Sequence, residues 1–60
     1  MQADGTWTVL VVDSDSKVRN SLVHCLEEDY RVLSAPMVAG ALAILAAEEI
    51  DLILCEQRMP

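Results

Sequence analysis

Trp7-Thr8-Val9-Leu10-Val11-Val12, closed by Asp13, is the stretch whose reading decides the fold. Its four consecutive apolar residues, three of them β-branched, suit a strand covered on both faces, as in a parallel sheet. Ser14-Asp15-Ser16 follows, a cluster of residues that cap helix N-termini. Val18, Leu22, Cys25 and Leu26 then recur at spacings that make one apolar stripe of a helix, with Arg19, His24, Glu27 and Glu28 mostly off it. Tyr30-Arg31-Val32-Leu33-Ser34 reads as a second strand. Pro36 suits the start of a second helix, whose expected buried stripe is Val38, Ala41, Leu42 and Leu45, closed by Glu48-Glu49. Gly40 weakens that helix by about 1 kcal/mol relative to Ala. Asp51-Leu52-Ile53-Leu54-Cys55 reads as a third strand ending at Glu56. The order β-α-β-α-β implies an α/β fold with parallel strands and right-handed crossovers.

Composition agrees with a folded unit but not with a large core. The chain has 60 residues, 53% of them hydrophobic, with two Gly and two Pro, which does not suit a disordered tail. A chain of this size buries only about 60% of its unfolded surface. Disulfide and metal staples are not evident, because two Cys and one His occur without a Cys-x-x-Cys pair. Met1 to Gly5 reads as a flexible leader, and residues 6–60 as one unit without repeats or linkers. A formal charge of −6 disfavours contact with the nucleic-acid backbone or an anionic membrane surface. Glu27, Glu28, Asp29, Glu48 and Glu49 fall near helix ends, where solvated faces are the ordinary reading. The sequence offers no signal peptide and no apolar run of the roughly 18 residues a membrane-spanning helix needs. A cytoplasmic location follows as the expectation, with Cys25 and Cys55 reduced and buried as small hydrophobes.

The chemistry concentrates at strand ends. Open α/β sheets bind ligands outside the carboxyl ends of their strands, where the strand order reverses. With strand order 2-1-3, Asp13 and Glu56 meet at that crevice. Such an acidic cleft suits Mg²⁺, a hard cation that takes oxygen ligands and keeps several waters. Asp15 reads more as a cap of the first helix than as a group leaning in from the turn, and an ordinary loop acid is the alternative for Glu56. No Gly-rich loop follows the first strand, so dinucleotide and P-loop readings fail. His24 reads as a surface residue, and no serine has a His-based nucleophilic arrangement that spacing reveals.

The chain resembles the N-terminal half of the receiver domain of two-component response regulators, ending just after strand 3. The resemblance rests on Val9-Leu10-Val11-Val12-Asp13, on Val18-Arg19-x-x-Leu22 with Leu26-Glu27, and on Asp29-Tyr30-Arg31-Val32-Leu33. It continues through Ala35, Ala41-Leu42 and the segment from Asp51 to Pro60, whose closing Met-Pro is its most specific element. The Gln-Arg-Met-Pro ending is similar to receivers of transcriptional activators. The resemblance implies the N-terminal half of a flavodoxin-like doubly wound sheet, with strands 4 and 5 expected to be absent from residues 6–60. It implies a signalling module rather than an enzyme, with a sensor histidine kinase or phosphotransfer protein and an output domain or another receiver chain as partners. It also implies a phosphorelay in which an aspartate at the end of strand 3 receives the phosphoryl group. Mg²⁺ is then held by Asp13, by the residue at position 56 and by the backbone carbonyl of Arg58.

The chain departs from the family pattern in three places: strands 4 and 5 are absent with the Thr or Ser and the Lys expected on them, and two positions differ. The phosphoacceptor position holds Glu56, whose carboxylate lies one methylene farther out. A misplacement of about 1 Å can cost about 10²-fold in rate, so little or no phosphorylation is expected. Glu56 could instead imitate an acyl phosphate in part, since it carries one charge against about −1.5 to −2 for a phosphate. Ser14 stands where a second acid usually contacts the metal, so weak Mg²⁺ binding is expected. A pseudo-receiver that has lost phosphate control is the alternative. A fragment of a Mg²⁺-dependent phosphotransferase or hydrolase is a more distant one, suggested by Asp13-Ser14-Asp15. The third strand reads as a central strand yet would lie at an edge in the order 2-1-3, so association through it, or instability of the 60 residues alone, is also expected.

Overall fold

The computed structural model describes residues 5–56. Its elements are β1 (Thr8–Val12), α1 (Ser16–Leu26), β2 (Arg31–Ala35), α2 (Val38–Ala47) and β3 (Leu52–Cys55). The three strands are parallel in the order β2-β1-β3, the arrangement of a flavodoxin-like half. Val9 pairs with Val32 on one side and Leu52 on the other, and Val12 with Ala35 and Cys55. Element boundaries differ from the sequence reading by one residue: Trp7, Tyr30 and Asp51 stand just outside their strands and Ala35 joins β2. Asp51 nevertheless fastens β3 to the start of β1, because its carboxylate accepts from Thr8 N at 2.8 Å and its own N–H donates to Thr8 O at 2.9 Å. The leader residues 1–4 and the Gln57-to-Pro60 motif lie outside the described residues.

β1 is the core. Successive side chains of a strand point to opposite faces, and all five residues of β1 are buried, so both faces are covered. Leu10 and Val12 cluster with Ala35 and Ala41, and Leu33, Ile44 and Ile50 pack against that cluster. α2 therefore covers the Leu10 face, while α1 packs on β1 and β2 from the Val9 and Val11 face.

Both helices are rolled from the stripes expected: Leu22, Leu26 and Ala41 turn inward as read, and their companions do not. In α2 only Ala41 is buried and Ile44 is half-buried, whereas Val38, Leu42 and Leu45 are exposed. The helix is apolar all round, so periodicity had no polar face against which to select an orientation. Small residues make the contact instead: a Cβ added at Gly40 would lie 3.5 Å from the Ala35 Cβ. In α1 the half-buried residues are Arg19, Leu22, Val23 and Leu26, a regular i, i+3, i+4, i+7 face. Val18 and Cys25 lie on its exposed flank. Both thiols are free, but neither is buried: Cys25 faces away from the sheet and Cys55 belongs to the edge strand. His24 is on the surface beside Glu27, as its position off the apolar stripe indicates.

Candidate functional site

The ladders of the sheet run one bond past their strands and thereby set the site. Asp13 N–H donates to Ala35 O at 3.2 Å, and Glu56 N–H donates to Val12 O at 3.0 Å. Residues 13 and 56 consequently sit side by side at the carboxyl edge, one register step beyond the Val12–Cys55 pair. They share a cleft of about 310 Å³ with Val12, Leu22, Leu54 and Cys55.

The β1–α1 turn determines what each polar group can offer. Asp13 is buried, and its Oδ1 accepts from Asp15 N at 2.8 Å, an Asx-type bond that folds the chain back on itself. Asp15 in turn is the N-cap of α1: its Oδ1 accepts from Lys17 N at 2.9 Å and Val18 N at 3.4 Å. Such a cap satisfies helix donors that otherwise lack partners and contributes about 1 kcal/mol. Of the two readings of Asp15, the structure realises the cap. Ser14 is exposed, and its Oγ donates to Glu56 Oε2 at 3.1 Å across the cleft.

Two features of this corner were not foreseen. The Ser14–Glu56 hydrogen bond joins two positions that the sequence marked only as separate departures from a family pattern. Arg19, placed off the apolar stripe, reaches back to the site instead, and its Nη1 donates to the Asp13 backbone carbonyl at 2.7 Å. The available signal was positional: Arg19 falls one turn after the Asp15 cap, on the face that meets the sheet. A guanidinium is thus fixed at the Asp13 backbone carbonyl.

The donor set does not form a cation cage. Among the described residues no three His, Cys, Asp or Glu side chains lie together as metal ligands. Asp13 and Glu56 supply hard oxygens of the right kind, but Glu56 is already engaged by a neutral hydroxyl and Asp15 by the helix. The Arg58 carbonyl, the third expected ligand, lies outside the described residues.

No family model matches the chain. Over 58 residues it is 40% identical to the hydrogenase transcriptional regulatory protein HoxA of Cupriavidus necator, covering 97% of this chain and 12% of that protein. It is 40% identical over 53 residues to the HoxA protein of Bradyrhizobium diazoefficiens, covering 88% of this chain and 11% of that one. The chain therefore spans a small fraction of the length of the curated relatives it matches. Among the described residues no helix is long and apolar enough to cross a membrane.

Proposed function

We infer that this chain is a receiver-like signalling module of a transcriptional regulator, in which Glu56 occupies the phosphoacceptor place and takes no phosphoryl group. The observation that carries the reading is the pairing of Asp13 and Glu56 in one cleft at the carboxyl ends of adjacent parallel strands. The likeness to two proteins named as transcriptional regulators supports a regulatory role over an enzymatic one. A hydrolase reading has less support, because the second acid of Asp13-Ser14-Asp15 is spent on capping α1. A sensor kinase or phosphotransfer protein and an output domain are the partner classes this reading entails. With no acyl phosphate formed, the module acts by docking, and the permanent charge of Glu56 stands in part for the phosphate.

The test is incubation of the full-length protein with acetyl phosphate and Mg²⁺, followed by intact-mass and peptide mapping. The reading predicts no phosphoryl adduct on the Glu56 peptide. Stoichiometric, acid-stable, hydroxylamine-labile labelling at Glu56 contradicts it. A second reading, a pseudo-receiver indifferent to charge at this place, draws on the Ser14–Glu56 bond, which occupies the carboxylate internally. Glu56→Ala separates the two: altered partner binding favours the partial mimic, and unchanged binding favours the pseudo-receiver.

A further inference from the structure

We propose that the Ser14–Glu56 hydrogen bond competes with a divalent cation for Glu56, so that this cleft takes such an ion weakly. The inference rests on the receiver-like reading and deepens it. A cleft with two carboxylates at its rim offers hard oxygens to a divalent cation. Here the chain engages those oxygens with its own groups. The Ser14 hydroxyl donates to Glu56 Oε2 at 3.1 Å and ties the β1–α1 turn to the end of β3. Asp13 Oδ1 accepts from the Asp15 backbone N–H at 2.8 Å. The Arg19 guanidinium sits at the Asp13 carbonyl, 2.7 Å away, and brings a fixed positive charge to the same corner.

The two departures are complementary in length. A shorter side chain at 14 leaves a gap that a longer one at 56 crosses, and a serine hydroxyl can donate where an acid at 14 would only repel. The geometry therefore joins in one contact two positions that singly look like losses. A cation would have to compete with the Ser14 hydroxyl for Glu56 and with Arg19 for the local field.

The experiment is a titration of the full-length protein with Mn²⁺ alone, followed by electron paramagnetic resonance of free Mn²⁺ and by thermal unfolding. Four forms are compared: native, Ser14→Ala, Ser14→Asp, and Ser14→Asp with Glu56→Asp. The native protein is expected to bind most weakly. Ser14→Ala, which removes the donor and adds no ligand, is expected to bind about fivefold more tightly, the worth of one ordinary hydrogen bond. The forms with an acid at 14 are expected to bind more tightly still. If the double variant binds while Ser14→Ala matches or falls below native, the hydrogen bond is not a competitor and the proposal is overturned, though the receiver-like reading stands. Native binding as tight as that of the double variant overturns the proposal equally. If the double variant folds, as its thermal transition reports, and takes up no Mn²⁺, the receiver-like reading fails and the proposal with it.

Discussion

β1 and β3 carry nearly the same text and live in opposite surroundings. Val9-Leu10-Val11-Val12 is 0–2% exposed, whereas Leu52, Ile53 and Leu54 are 54%, 45% and 36% exposed. Each strand is a short apolar run ending in an acid, and the two are hydrogen-bonded neighbours. The difference is one of company: β1 has a strand on either side and a helix on each face, and among the described residues nothing lies beyond β3. A continuous apolar run reports that a strand is built to be covered, but not what covers it. On the α1 side of β3, Trp7, Val9, Leu26, Tyr30, Leu52 and Leu54 leave an apolar groove of about 410 Å³. An open edge of this kind templates pairing with another strand.

The most severe way to break the comparison is to truncate both strands alike. Leu10→Ala removes a fully buried side chain and is expected to destabilise by about 2–5 kcal/mol, measured by denaturant titration. Leu54→Ala is expected to cost less than half as much, because its surroundings are open. Equal costs would mean that β3 is covered in the protein under test. A second contrast uses the free edge itself. Ile53→Lys is expected to suppress concentration-dependent association in sedimentation velocity, since a charge on an edge strand blocks edge-to-edge pairing. Unchanged association would place the contact elsewhere. The smallest effect belongs to the helix that covers β1. Gly40→Ala meets only ordinary contact with Ala35 and is expected to stabilise by about 0.5–1 kcal/mol, read as a raised thermal midpoint. A loss of stability there would mean that α2 approaches β2 more closely than 3.5 Å allows.

How much the sequence revealed follows the same contrast. The order of elements and the parallel sheet were legible, because apolar runs and cap clusters mark strands and helix starts locally. The strand order 2-1-3, legible from the element order, is what brings Asp13 and Glu56 together. Helix faces were less legible. α2 is apolar on every side, so its inward face is set by the close approach of Gly40 and Ala41 to the sheet rather than by periodicity. Cys25 and Val18 share a plausible stripe with Leu22 and Leu26, but the helix is rolled so that Arg19 and Val23 face in. The Ser14–Glu56 bond was hidden for a different reason. It links residues 42 apart, and only the register of β3 on β1 gives it a length.

That register is the central claim, and a designed disulfide tests it most directly. Position 13 lies one step past Val12 and position 56 one step past Cys55, on parallel strands that sit about 4.8 Å apart. Such a spacing lies within the range a disulfide spans. With Cys25 and Cys55 changed to Ser, the Asp13→Cys, Glu56→Cys protein is oxidised under dilute conditions and its mass is read before and after alkylation. The account predicts an intramolecular bond between positions 13 and 56, with no thiol left to alkylate. Two free thiols, or bonds only between molecules, in a protein that remains folded would contradict it.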